Sequence, residues 1–162
     1  PMPTEADIRF MKRAIELGRE VSLERGQAGP FGCVVVKDGE IVAEGVNRVL
    51  VDDDPTAHGE MVAIRAACRA LGTHQLEGCT VYTSSEPCPM CYAACWWARV
   101  DAIFHAGTID DAHGYGGFDD RPILDALRRP PEERPLPVTQ LLRDEMLGIW
   151  REFQERDDRP HY

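Results

Sequence analysis

Two short stretches decide how this chain is read: Ala57-His58-Gly59-Glu60 and Glu86-Pro87-Cys88-Pro89-Met90-Cys91. One His and two Cys can hold a zinc ion and leave its fourth position open to water. Glu60, two residues after His58, is not needed as a ligand. It is placed to move protons as a general acid and base. A Cys-x-x-Cys pair by itself could be a redox pair or part of a closed zinc knot. Neither alternative uses Glu60, and a closed knot needs a fourth protein ligand. The remaining histidines, His74, His105, His113 and His161, have no motif spacing to the two cysteines. The three-residue step from Cys88 to Cys91 puts both on one helical face, and a helix start favours their thiolates.

Working outward, Ile8, Met11, Ala14, Ile15 and Val21 have helical spacing, so a helix is expected over about residues 4–25, ended by Gly26 and Gly29-Pro30. Phe31 to Val36 reads as a buried strand. Lys37-Asp38-Gly39-Glu40 reads as a hairpin turn, and Ile41-Val42-Ala43 as the returning strand. Asp52-Asp53-Asp54-Pro55-Thr56 opens a helix whose first turn contains His58. Met61, Ile64, Ala67, Cys68 and Leu71 form its apolar face. Cys79 to Thr83 is a third strand. A helix runs from about Cys88 to Arg99, and Asp101 to His105 is a fourth strand. Glycines and aspartates make 107–120 a loop. A short helix over 123–128 and a Pro-rich connector over 129–135 follow. A fifth strand is expected over Val138–Leu142, and a last helix over 144–156. Strands alternating with helices suggest a layered α/β fold.

With 162 residues the chain is expected to be one domain with a real core. The net charge of −10 argues against a nucleic-acid partner, because phosphate binding needs clustered Lys and Arg. No long apolar run or leader-like segment is read, so no membrane association and a reducing, cytoplasmic setting are expected. In that setting Cys33, Cys68, Cys79 and Cys95, which sit among apolar neighbours, read as core thiols.

The order H-x-E followed by P-C-x-x-C is the signature of zinc deaminases that act on nucleobases. The chain resembles the cytidine-deaminase-like zinc deaminases, and within them the bacterial guanine deaminases. The likeness rests on Gly29-Pro30-Phe31-Gly32, Asn47, Asp54 to Glu60, Thr83 to Cys91 and Trp97-Ala98-Arg99. It continues through Gly117-Phe118-Asp119-Asp120, Pro131-Glu132-Glu133-Arg134 and the closing Tyr162, and so covers nearly the whole chain. Two departures stand out. Position 59 is Gly where a small residue such as Ala is usual, which is expected to be harmless. Gly114-Tyr115-Gly116-Gly117 is richer in glycine than the resemblance leads one to expect.

The resemblance implies a three-layer α/β/α fold with a five-stranded mixed sheet. It also implies one Zn2+ per subunit, held by His58, Cys88 and Cys91. The implied assembly is a homodimer that exchanges C-terminal segments from about residue 130 to 162, with the Pro-rich connector as the hinge. The implied substrate is a small-molecule purine base. Guanine would lose its C2 amino group by hydrolysis to give xanthine and ammonia, with Glu60 shuttling protons. Asn47 would hydrogen-bond the base. Asp120 would be the carboxylate near the exocyclic amino group, with Asp119 beside it as the alternative. Phe31 and Trp97 are either walls against the flat purine or core aromatics. Tyr162 is either a lid on the pocket or a loose end. Amides near Ser84 to Cys88 are candidates to hold developing negative charge. Guanosine, cytosine and a triazine such as ammeline remain alternative substrates. Transfer-RNA adenosine is a weaker one, given the acidity.

Overall fold

The apolar run after Phe31 forms β1 (Gly32–Lys37), whose residues from Gly32 to Val36 are all buried. A strand covered on both faces needs no alternation, which is why Cys-Val-Val-Val is unbroken. Asp38 and Gly39, both with positive φ, turn the chain into β2 (Glu40–Val46), antiparallel to β1 and four residues longer than its apolar core suggested. β3 (Cys79–Ser85) pairs antiparallel with β1 on the other side, and β4 (Ala102–Gly107) pairs parallel with β3. The sheet is mixed, in the order β2-β1-β3-β4. This computed structural model describes residues 2–162. They fall into two compact units, one ending at Asp120 and the other spanning Arg121–Tyr162.

In the first unit helices cover both faces of the sheet. Helix α1 (Glu5–Arg19) starts at a capping box: Thr4 Oγ1 accepts from Asp7 N, and the Asp7 carboxylate accepts from Thr4 N at 2.7 Å. Phe10, Ala14 and Leu17 of α1 pack on Val34, Val36 and Tyr82. A single turn follows, α2 (Val49–Asp52), and then α3 (Gly59–Leu71) and α4 (Pro89–Ala98). Ala63, Ile64 and Ala67 of α3, with Cys95 and Ala98 of α4, pack on Cys33, Val35, Cys79 and Val81. Alternate residues of β1 and β3 thus go to opposite layers, as strand geometry requires. Each fully buried Val contributes about 1.5–3 kcal/mol. All six cysteines are free thiols; Cys33, Cys79 and Cys95 are buried, and Cys68 is half-buried.

Four details correct the expectations. The first helix does not continue as α-helix to residue 25. It changes to a π turn over Glu20–Glu24, where Ser22 Oγ donates to the Gly18 carbonyl at 2.6 Å. His58 is the residue that caps α3, not part of its first turn. Residues 109–116 are helical, α5 (Ile109–Gly116), because Thr108 and Asp111 form a second capping box that outweighs the local glycines. The fifth strand is absent: Val138–Leu142 carries no strand. The second unit holds α6 (Arg121–Leu127), a 3-10 turn over Pro131–Glu133, and α7 (Arg143–Glu155). It offers no strand edge for that segment to pair with, and a strand without a partner leaves its backbone groups unpaired. Among the described residues the sheet therefore has four strands. None of their helices is long and apolar enough to cross a membrane.

Candidate active site

The site lies where β1, β2 and β3 hand the chain to their connections. Phe31 directly precedes β1 and Asn47 directly follows β2, and Asn47 N donates to the Phe31 carbonyl at 3.1 Å. The open end of the hairpin thereby holds the two side by side. Asn47 Oδ1 accepts from Val49 N at 3.1 Å, so the amide's donor end is the part left for a ligand. His58 and Cys88 occupy the cap positions of α3 and α4 in extended backbone, and neither caps its helix with its side chain. The starts of α3 and α4 converge, with Cys91 in the first turn of α4.

His58 Nδ1 is 3.5 Å from Cys88 Sγ and 3.6 Å from Cys91 Sγ. The three ligand atoms lie within 4.8 Å of one another. Zinc bonds of about 2.0–2.1 Å to nitrogen and about 2.3 Å to sulfur, at a tetrahedral angle, put N and S about 3.6 Å apart. The donor set therefore fits zinc in both chemistry and spacing. Hydrogen bonds from Cys91 and His58 outweigh burial and hold the Cys88 thiol well below its ordinary value. A thiolate is the form that binds metal.

Glu60, in the first turn of α3, is 6% exposed. Its Oε1 accepts a 2.5 Å hydrogen bond from Thr83 Oγ1 on β3. A cavity of about 480 Å3 opens above this group, with Phe31, Asn47, His58, Glu60, Cys88 and Asp120 among its lining. That volume lies in the range of small-molecule pockets, about 300–1,000 Å3. Burial raises the Asp120 carboxyl, and the nearby Cys88 thiolate adds to the rise. Asp119 instead lies 3.6 Å from His113 Nε2. Phe31 meets Phe118 edge-to-face, with centroids 5.0 Å apart.

Six of the residues read from the sequence thus share one cavity, and Cys91 is buried with its sulfur at the metal position. Trp97 is 64% exposed on α4 and is not part of the cavity lining. Tyr162 belongs to the second unit. Sequence reading missed Thr83, Glu86 and Gln27. Glu86 lines the cavity, and its Oε2 accepts from Ile109 N at 3.0 Å, tying the cysteine loop to the start of α5. The signal for Thr83 was a hydroxyl at an inward position of a buried strand.

Residues 4–106 match the cytidine and deoxycytidylate deaminase zinc-binding region. The chain belongs to this zinc-binding deaminase family. Within the family it is 47% identical to guanine deaminase of Bacillus subtilis over 152 residues, covering 92% of this chain and 96% of the relative. The X-ray structure of a Bacillus subtilis guanine deaminase superposes with a TM-score of 0.90 at 45% identity, covering 99% of both chains. A tRNA-specific adenosine deaminase of Aquifex aeolicus is 41% identical over 105 residues, 65% of this chain and 68% of the relative. Membership makes the deaminase a hydrolase of C–N bonds with Zn2+ as its metal.

Proposed function

We infer that this protein hydrolyses guanine to xanthine and ammonia. The observation that carries the reading is a His58/Cys88/Cys91 ligand set with Glu60 beside it, opening into a cavity that Asn47 and Asp120 also line. The similarity to guanine deaminase over nearly the whole chain supports the choice of base.

Zinc at this site supplies Lewis-acid activation of water. The protein's own residues do the rest. Asn47 donates its amide hydrogens to an acceptor on the base and fixes its orientation. Glu60 takes one proton from the attacking water and delivers it to ring N3; it then takes the second proton from the hydroxyl now on C2 and passes it to the amino group, which leaves as ammonia while the C2 carbonyl forms. Asp120 stands at the cavity wall, where it can hold a proton for the exocyclic nitrogen. Phe31, with Phe118 at its edge, offers the apolar wall. Tyr162 serves as the lid.

The proposed assembly is a cytoplasmic homodimer in which about residues 130–162 of each chain are exchanged, so that Tyr162 closes the other subunit's pocket. The acidic charge and the cavity size support a free purine base over nucleic acid.

The test is ammonia release by the zinc-loaded protein from guanine, guanosine, cytosine, cytidine and ammeline. Release from guanine is expected, lost on zinc removal. Glu60→Gln is expected to keep zinc and lower turnover by about 10²–10⁴. Full activity in that variant, or release only from another base, would overturn the assignment.

A further inference from the structure

We propose that Thr83 is the positioning residue of Glu60: its hydroxyl holds Oε1 and so fixes the plane of the carboxylate that serves the reaction. This rests on the role of Glu60 given above. Thr83 pairs with Cys33, and Val81 with Val35, across β1 and β3. Cys33, Val35 and Val81 all belong to the core beneath α3 and α4, so Thr83 sits at a position of the same inward-facing row. It is 2% exposed. Packing alone would be served there by Val, as two residues earlier. A buried hydroxyl is unfavourable unless it is hydrogen-bonded.

The bond it makes is to Glu60 Oε1, at 2.5 Å. Leaving thiols and Tyr82 aside, Glu60 and Thr83 are the buried polar side chains among the described residues; Thr83 donates to Glu60, which also meets the Cys91 sulfur. A threonine hydroxyl has one proton to donate. With that proton directed at Oε1, this oxygen is tied to β3, and Oε2 is the one left to serve the water and the base. The same bond restrains the plane of the carboxylate. A proton shuttle must meet two acceptors in succession within hydrogen-bond reach, and that requires a fixed carboxylate.

The experiment compares zinc-loaded wild type with Thr83→Val and Thr83→Ser. Thr83→Val is expected to lower kcat about 10–100-fold, the range for a lost hydrogen bond to a charged group. KM and zinc content are expected to stay unchanged, and Thr83→Ser is expected to restore most of the rate. The wild-type minus Glu60→Gln infrared difference spectrum isolates the Glu60 carboxylate stretch. That band should move in Thr83→Val and return in Thr83→Ser. Thr83→Cys, a weaker donor, serves if the valine variant does not fold, and should shift rate and band in the same direction. Wild-type kcat with an unmoved band would overturn the proposal, as would an equal loss in the valine and serine variants accompanied by loss of zinc. Because the band is read without turnover, a wild type silent on guanine counts against the substrate and leaves the role of Thr83 to be judged from the spectrum.

Discussion

Asp119 and Asp120 are neighbours in sequence with different surroundings. The first lies beside His113, and the second lines the cavity within electrostatic reach of Cys88 and Glu60. Asp120→Asn is therefore expected to lower kcat/KM about 100-fold or more, and Asp119→Asn to leave it within a few-fold. Steady-state kinetics on guanine with both variants checks this; the reverse ranking would transfer the role to Asp119. The sequence left this pair open, because one residue of shift in a loop cannot be resolved by spacing. His58, Cys88 and Cys91 were legible as a candidate metal set because metal coordination tolerates few residue types at few spacings, and Glu60 was legible from its place in the H-x-E motif. Thr83 was not legible as a site residue, since its partner is 23 positions away and only the fold brings them together. A Cβ on Gly59 would stand 3.1 Å from the Phe31 carbonyl oxygen, so the glycine leaves room beside the open end of the hairpin.

At the level of elements, one of the extra glycines before Phe118, Gly116, has a packing reason. A Cβ on Gly116 would stand 2.8 Å from the Phe118 ring. A Cβ on Gly29 would stand 2.6 Å from Phe31 and 2.9 Å from Phe118. The two glycines clear a seat for the aromatic pair on the cavity wall. Reading Gly107 to Asp120 as a loop hid α5, whose Thr108/Asp111 start was the stronger local signal. The β1–β2 hairpin and β3 were legible from their apolar runs, whereas Val138–Leu142 has the composition of a strand without a neighbour to pair with. On the opposite face, Tyr82 lies between Phe10 and Phe104, with ring centroids at 5.4 and 5.1 Å. Its hydroxyl donates to Asp7 Oδ1 at 2.5 Å, and this bond is the main cause that lowers the Asp7 carboxyl below its ordinary 3.8. A depressed carboxyl contributes stability above its unfolded value, and that contribution is lost as pH falls through the folded one. Tyr82→Phe is thus expected to lower Tm at neutral pH, with the gap to wild type closing below about pH 4. A pH-independent gap in thermal melts would assign the effect to packing instead.

For the whole molecule, all residues lining the cavity lie in the unit that ends at Asp120, while Tyr162 belongs to the other. Exchange of the second unit between subunits therefore has a direct readout. A chain with Glu60→Gln and a chain lacking Tyr162 should each be nearly inactive alone, and should recover activity when unfolded and refolded together. No recovery, with mixed dimers present, would count against exchange. One further consequence follows from the cap positions of α3 and α4. Both are given to ligands, His58 and Cys88, that make no side-chain bond to their own helices. A missing cap costs a helix about 0.5–2 kcal/mol. A zinc ion held by both residues ties together two helix starts 30 positions apart and acts as a clasp that closes the intervening loop. Chelation should then accelerate amide exchange first in the opening turns of α3 and α4, ahead of the central strands. In this enzyme the metal that serves the chemistry would also do the work of two missing caps.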